Sequence, residues 1–137
     1  MHEWALAESI ITTALDVAKK EHLKTITQVT IHIGELQQIE REIFTFALKE
    51  SAALYPKKFP KISFQLKTEK STLQCNSCLH EWAFQDMKKK LNEDTSEAIH
   101  FIPEVIFVHT RCPTCGSPDF SIKKGRGVTV SSIKGTR

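Results

Sequence analysis

The chain lacks any apolar run of the roughly 20 residues that a membrane-spanning helix needs. It also lacks, at its start, the basic segment followed by an apolar segment that marks a secretory signal peptide. We therefore expect a cytoplasmic protein. No internal repeat or low-complexity tract is visible, and 40% apolar with 26% charged residues is an ordinary balance for a folded chain of 137 residues.

Signatures of the common enzyme classes are also missing. The sequence has no nucleophile with a neighbouring base, no phosphate-binding glycine loop and no H-E-x-x-H zinc motif. These absences favour a protein that binds rather than catalyses.

Hydrophobic periodicity predicts two helices and several short strands. Apolar residues recur every three or four positions in the two helical segments and alternate with polar residues in the strands. The predicted helices are Trp4–Lys20 and Ile39–Leu54, and the predicted strands are 28–34, 61–67, 119–124 and 127–133. Pro56 and Pro60 bar the second helix from continuing.

This order of elements predicts an α+β fold: two helices on a small three-stranded mixed sheet, with a four-cysteine zinc-ribbon-like domain inserted before the last strand. The first domain is expected to span residues 1–70 plus about 120–137. The inserted domain is expected to span about 71–119. At least one of the two final strands should return to the first sheet.

The four cysteines form two C-x-x-C pairs, Cys75 with Cys78 and Cys112 with Cys115, and 33 residues separate the pairs. Each pair lets one tight turn present two thiolates, and two facing turns close a tetrahedral site of four sulfurs. In a chain without an export signal this pattern predicts structural Zn(II) rather than disulfides. Iron, as in rubredoxin-like electron carriers, is the main chemical alternative.

A nucleic-acid-binding zinc ribbon is an alternative function. The formal charge of +3, the pI near 8.7 and the basic carboxyl-terminal segment favour it. However, four thiolates around one zinc ion add about two negative charges, which lowers the total to about +1. No predicted strand shows alternating basic and aromatic residues, which argues against a nucleic-acid partner.

The amino terminus begins M-H-E, which places a histidine at position 2. The terminal amine of Met1, the backbone nitrogen of His2 and the His2 ring can surround one ion with three nitrogens that lie nearly in a plane. Planar nitrogen sets suit Ni(II) or Cu(II) better than Zn(II). Alternatively, His2 and Glu3 simply begin the first helix, where an acidic residue is favourable.

His100, which lies between the cysteine pairs in the segment A-I-H-F-I-P-E, is a candidate fourth ligand. The alternative is a histidine on a strand, with solvent or backbone as its partner. The sequence alone leaves both interpretations open.

Taken together, these motifs resemble the HypA/HybF family of hydrogenase-maturation nickel chaperones. The resemblance rests on M-H-E at residues 1–3, G-E-L at 34–36, F-A at 46–47 and the paired C-x-x-C motifs. It spans nearly the whole chain. The long insert with its H-F-I-P-E segment is similar to that of the archaeal members.

The resemblance implies a non-enzymatic carrier that binds Ni(II) transiently at the amino terminus. It implies nickel contacts at Met1, His2, Glu3 and His100, and structural Zn(II) at Cys75, Cys78, Cys112 and Cys115. The implied partners are a HypB-type nucleotide-hydrolysing maturation protein and a [NiFe]-hydrogenase large subunit.

Overall fold

The computed structural model describes residues 3–37, 39–88 and 91–137, without the side chains of residues 88, 100 and 101. In chain order, the elements are α1 (Glu3–Lys20), β1 (Thr25–Gly34), α2 (Arg41–Ala53), β2 (Ser63–Glu69), β3 (Thr72–Cys75), β4 (Glu81–Ala83), α3 (Phe84–Lys88), α4 (Glu93–Phe101), a 3-10 turn (Pro103–Val105), α5 (Ile106–His109), β5 (Phe120–Lys124) and β6 (Val128–Thr136). None of the described helices is long and apolar enough to cross a membrane.

The chain divides into two compact units. The first comprises Met1–His32, Ile39–Lys67 and Thr129–Arg137, and the second comprises Ile33–Gln38 and Thr68–Val128. Each unit has a three-stranded sheet of its own, with the order β2-β1-β6 in the first and β4-β3-β5 in the second. The predicted α+β class is confirmed, and the second unit has a small sheet as well.

Helices α1 and α2 form the core of the first unit together with β1. Both helices are amphipathic because their apolar residues recur at helical spacing, and each buries one face. The fully or almost fully buried core residues are Ala7, Ile10, Ile11, Ala14 and Ala18 of α1, Ile26, Val29 and Ile31 of β1, and Phe44, Ala47, Leu48 and Ala52 of α2. This packing fixes the start of α1 relative to the start of α2.

Strand β2 runs parallel to β1 and is joined to it through α2. The Ile26 N–H donates to the Lys58 carbonyl, and the Glu35 N–H donates to the Glu69 carbonyl. Because the partners advance in the same order along both segments, the two strands share a direction. Parallel neighbours need a long crossover connection, which α2 supplies.

Strand β6 returns to the first sheet and pairs with the other edge of β1. The Lys24 N–H donates to Thr136, whereas the Gly34 N–H donates to Gly127. The partners run in opposite order, so β6 is antiparallel to β1 and the sheet is mixed. The prediction that a final strand rejoins the first sheet is therefore confirmed.

In the second unit, β3 lies between two antiparallel neighbours. Leu73 is opposite Trp82 of β4, and Cys75 is opposite Phe120 of β5. The buried core of this unit comprises Leu36, Leu73, Cys75, Trp82, Phe84, Met87, Ile99, Ile106, Cys112 and Phe120. Two of the four cysteines are thus part of a hydrophobic core.

The insert between the cysteine pairs is helical and contributes to this core. Asn92 caps α4, because its side-chain oxygen accepts the Thr95 N–H at 2.8 Å. Ile99 of α4 and Ile106 of α5 are fully buried. His100 therefore lies on a helix, and the alternative that placed it on a strand is wrong. A capped start and helical apolar spacing together override the short apolar run that suggested a strand.

The G-E-L motif belongs to the second unit, although the expected boundary had placed it in the first. The Gly34 N–H donates to Gly127 at 2.8 Å and the Leu36 N–H donates to Gly125 at 3.2 Å. The Glu35 carboxylate accepts the Ser71 N–H at 2.8 Å. Backbone pairing of this kind cannot be read from hydrophobic periodicity.

Gly34 has no room for a side chain. A β-carbon added there would overlap the carbonyl group of Gly125, whereas one added to Gly127 would meet no atom within 4 Å. Gly34→Ala should therefore lower the free energy of unfolding by about 3 kcal/mol, because the backbones of two segments must separate. Urea unfolding of the metal-loaded protein measures the loss.

Gly127→Ala is the matched control for this substitution. Its backbone φ of +89° is unfavourable for alanine, so a loss of about 1 kcal/mol is expected from strain alone. Equal losses in the two variants would show that the close approach at Gly34 does not matter.

Candidate metal centre

The two C-x-x-C turns share one backbone pattern. In the first turn, the Cys75 N–H donates to His80 at 2.9 Å and the Leu79 N–H donates to Cys75 at 3.1 Å. In the second turn, the Cys112 N–H donates to Ser117 and the Gly116 N–H donates to Cys112, both at 2.9 Å. Because the pattern repeats with the same offsets, each turn presents its two sulfur atoms in the same way.

The residue after the second cysteine of each turn has a left-handed backbone. Gly116 has φ +74° and Leu79 has φ +65°. Glycine adopts this backbone without strain, because it has no β-carbon. Leucine is strained in this region because its β-carbon crowds the neighbouring carbonyl. Leu79 is also 69% exposed, so burial does not offset its strain.

The four sulfur atoms lie within 4.8 Å of one another. The Cys75–Cys115 and Cys78–Cys112 sulfur pairs are each 3.6 Å apart. A disulfide needs about 2.05 Å, which excludes bonded pairs. A tetrahedral ion with bonds of about 2.3 Å to sulfur spaces its ligands about 3.8 Å apart. The cluster therefore fits Zn(II) with all four coordination positions filled.

Backbone donors favour a thiolate at Cys75. The N–H groups of Cys78 and Ser77 point at its sulfur, each at 3.4 Å. The Cys78 N–H lowers the pKa of Cys75 to about 6. Burial of the thiol acts in the opposite direction, and the Ser77 N–H lowers the pKa further. The Cys112 pKa is also lowered, because N–H donors from Cys115 and Thr114 outweigh the burial of its thiol.

The second cysteine of each turn shifts in the opposite direction. At Cys78 the His80 N–H lowers the pKa, but burial and the neighbouring thiols outweigh it and raise the pKa to about 12. At Cys115 the Ser117 N–H is likewise outweighed, chiefly by Cys75, and the pKa rises. Four thiolates so close together repel one another, and a divalent cation at the centre removes that repulsion.

Polar contacts and aromatic packing hold the two turns in place. The Asn76 side chain donates to the Asp119 carboxylate at 2.9 Å, and the Asn76 N–H donates to the Asp119 carbonyl. Trp82 and Phe84 lie in the buried cluster that contains Cys75 and Cys112. The cysteine turns are thus fixed by both their backbones and their core.

The proposed nickel ligands Met1 and His2 lie outside the described residues. Glu3 is the first residue of α1, and its carboxylate accepts the Glu40 N–H at 3.3 Å. Glu40 precedes α2, so this contact links the starts of the two helices. Sequence reasoning missed Glu40, because no local pattern connects it with a residue 37 positions earlier.

Trp4 follows Glu3 in the first turn of α1. Its ring meets the edge of Phe46 with 5.9 Å between centroids and an interplanar angle of 86°. Trp4 remains 45% exposed.

The backbone of His100 lies in α4 of the second unit, and its side chain is outside the described residues.

A family model described as "Hydrogenase/urease nickel incorporation, metallochaperone, hypA" matches residues 1–135. The chain belongs to the HypA family. A relative from Pyrococcus abyssi, "Hydrogenase maturation factor HypA", is 44% identical over 134 residues, which cover 98% of this chain and 95% of the relative. A relative of the same name from Thermococcus onnurineus is 42% identical with the same coverage. The predicted family is confirmed.

Two solved structures of the HypA family share the fold. The solution structure of the nickel metallochaperone HypA from Helicobacter pylori aligns with a TM-score of 0.66 at 20% identity, covering 99% of this chain and 98% of that one. A second structure, "Solution structure of HypA protein", aligns with a TM-score of 0.65 at 22% identity, covering 98% and 96%. At this identity the likeness establishes the fold alone.

The strain at Leu79 gives a prediction for the first cysteine turn. Leu79→Gly should raise the free energy of unfolding of the metal-loaded protein by about 1 kcal/mol, because glycine accepts the left-handed backbone. Gly116→Ala introduces the same strain into the second turn and should lower it by a similar amount. Thermal unfolding measures both. A loss of stability in Leu79→Gly would show that the leucine side chain stabilises the turn.

Proposed function

We propose that the protein carries Ni(II) at its amino terminus and delivers it for [NiFe]-hydrogenase maturation, while Zn(II) at the four cysteines serves structure. The observation that supports this proposal most strongly is the match of the nickel-incorporation family along residues 1–135. On this proposal the first unit is the nickel-binding domain and the second is the zinc-binding domain.

Cys75, Cys78, Cys112 and Cys115 would hold the zinc ion. A set of four sulfurs leaves no open position for a substrate or for exchange. Two of these cysteines also lie in the core of the second unit, so loss of the metal would disturb packing as well as charge. These features suit a permanent ion, and they leave the cargo to a different part of the chain.

The nickel ion would be bound by the terminal amine of Met1, the backbone nitrogen of His2 and the His2 ring. Three nitrogens in a plane match the preference of Ni(II), and the fourth position stays available for another ligand. An incomplete ligand set on a chain terminus favours release to an acceptor. His100 and the carboxylates of Glu3 and Glu40 are the candidates for the remaining contacts.

Glu3 has a second role that its hydrogen bond supports. Because its carboxylate accepts the Glu40 N–H, Glu3 ties the first turn of α1 to the start of α2. His2 directly precedes this anchored residue in the chain. We infer that Glu3 restricts the positions available to the two nickel-binding residues ahead of it, whether or not it contacts the ion.

The partners would be a HypB-type nucleotide-hydrolysing protein and the large subunit of a [NiFe]-hydrogenase, in the cytoplasm. The relatives from Pyrococcus and Thermococcus carry the name "hydrogenase maturation factor", which supports the hydrogenase as acceptor. We propose that the chain itself catalyses no reaction, so nucleotide hydrolysis would belong to its partner.

The nucleic-acid alternative loses support from the surface charges. It rested on the basic segment near the carboxyl terminus, but Lys123 pairs with Glu81 and Arg126 pairs with Glu104. Arg137 lies 3.9 Å from Glu21. Cations that already face carboxylates attract phosphate less strongly.

Nickel titration of untagged protein tests the proposed carrier. Wild type should bind about one Ni(II) besides one tight zinc ion, with a planar nickel absorbance spectrum. His2→Ala should lose the nickel and keep the zinc, because only residue 2 joins an amide and a ring to a terminal amine. A tag of several residues ahead of Met1 should have the same effect, since it moves the terminal amine out of chelate reach of the His2 ring. Metal analysis after gel filtration measures both ions.

Matched variants distinguish ligands from other groups in this titration. His109→Ala removes a histidine of α5 and should leave nickel binding unchanged. His100→Ala, Glu3→Gln and Glu40→Gln test the remaining contacts, and an unchanged nickel spectrum removes the substituted residue from the ligand set. Normal nickel affinity in His2→Ala would contradict the proposed site.

A further inference from the structure

A cavity of about 350 Å³ lies beside the second cysteine turn, within the second unit. It is lined by His80, Trp82, Asp86, Met87, Thr110, Arg111 and Pro113. None of these residues belongs to the proposed zinc or nickel ligands. The volume is within the range of cavities that hold small molecules or single side chains.

Trp82 lines this cavity and carries an unpaired polar group. The residue is only 9% exposed, and its ring stacks on His80 with 6.0 Å between centroids and packs against Phe120 at 5.4 Å. Within the described part of the chain, its indole N–H is the one buried side-chain donor that has no acceptor. Buried donors in folded proteins are normally paired with protein, water or ligand. The indole N–H therefore needs an acceptor from outside the chain.

Arg111 is the cation of the cavity lining. It is exposed, and among residues 3–37, 39–88 and 91–137 no carboxylate pairs with it. Two other basic residues of the second unit, Lys123 and Arg126, do face carboxylates. The guanidinium of Arg111 thus keeps its full capacity to bind an anion.

The lining offers more donors than acceptors. Arg111, the Thr110 hydroxyl and His80 can donate, and Asp86 is the only carboxylate of the lining. The covered Trp82 indole N–H becomes a further donor once its neighbours shift. Met87, Pro113 and the Trp82 ring supply apolar surface beside these groups. An acceptor with a negative charge, attached to an apolar body, complements this combination.

We propose that this cavity binds a carboxylate carried by an apolar chain, with Arg111 as its charge partner and the Trp82 indole N–H as a second donor. The indole nitrogen is covered, so its neighbours must shift when the ligand enters. His80 is exposed and stacks on the indole, which makes it the side chain best placed to move. The carboxylate comes either from a free carboxylic acid or from an acidic side chain of a peptide.

Three probes of equal length test this proposal: hexanoate, hexanol and hexylammonium, each titrated into zinc-loaded, ¹⁵N-labelled protein. The chain has two tryptophans, so the indole region of the NMR spectrum contains only Trp4 and Trp82. Hexanoate should shift the Trp82 resonance saturably, with a dissociation constant on the order of millimolar. Hexanoate should leave the Trp4 resonance unchanged. Hexanol and hexylammonium should leave both the Trp4 and the Trp82 resonances unchanged.

Two substitutions at the cavity should change the affinity in opposite directions. Arg111→Gln should weaken hexanoate binding about tenfold, because a charge-assisted hydrogen bond is lost. Asp86→Asn should strengthen binding, because a like charge is removed. Arg126→Gln is the matched control, since Arg126 faces Glu104 and does not line the cavity. Both arginine variants replace exposed side chains, and their zinc content verifies that the unit is folded.

Several outcomes would overturn the proposal. These are an unmoved Trp82 resonance, equal shifts with hexanol, stronger binding of hexylammonium, or undiminished binding in Arg111→Gln. The source of the carboxylate is decided by competition between hexanoate and a blocked leucine–glutamate–leucine tripeptide. Stronger binding of the tripeptide supports a peptide ligand, and stronger binding of hexanoate supports a free acid.

Discussion

Four cysteine sulfurs within 4.8 Å of one another cannot all be thiolates unless a cation lies between them. The second unit depends on this constraint, because two of the four sulfur ligands, those of Cys75 and Cys112, belong to its hydrophobic core. Cys78 and Cys115 complete the cluster from the exposed side. Burial, repeated backbone turns and N–H donors hold the sulfurs at the spacing that a tetrahedral ion needs. The geometry therefore suits a metal that is not exchanged, and the proposed cargo site must be elsewhere.

The start of the chain has the opposite character. Glu3 is anchored by the Glu40 N–H, and packing of α1 against α2 fixes the helix behind it. The proposed nickel ligands precede this anchor and require no closed pocket. On this proposal, nickel would be held loosely by nitrogens at the chain end, and zinc would be held tightly by sulfurs in a core. Stability would belong to the second unit and transfer to the first.

Much of the fold could be predicted from the sequence, because its signals are local. The predicted first helix matches α1 to within one residue, since apolar spacing and terminal charges agree there. The spacing of the cysteines predicted two similar turns, and the glycine that follows Cys115 is typical of the left-handed backbone found there. These features depend only on residues a few positions apart.

The remaining features depend on contacts between distant residues. Glu40 meets Glu3 across 37 positions, and the G-E-L segment joins the second unit through backbone hydrogen bonds to Gly125 and Gly127. Leu79 takes a backbone that glycine would prefer, which no propensity predicts. The helices between the cysteine pairs were uncertain because short apolar runs fit either strand or helix.

The proposed division of roles between nickel and zinc is tested most directly by acid titration of untagged protein loaded with both metals. The terminal amine and the imidazole must lose protons to bind nickel, so nickel should leave as the pH falls toward about 6. Zinc bound by four thiolates keeps them deprotonated well below the pKa of a free thiol, so zinc should remain until the pH is lower still. Two separate release steps, with nickel first, are the predicted result. Simultaneous release of both ions, or loss of zinc before nickel, would contradict this account.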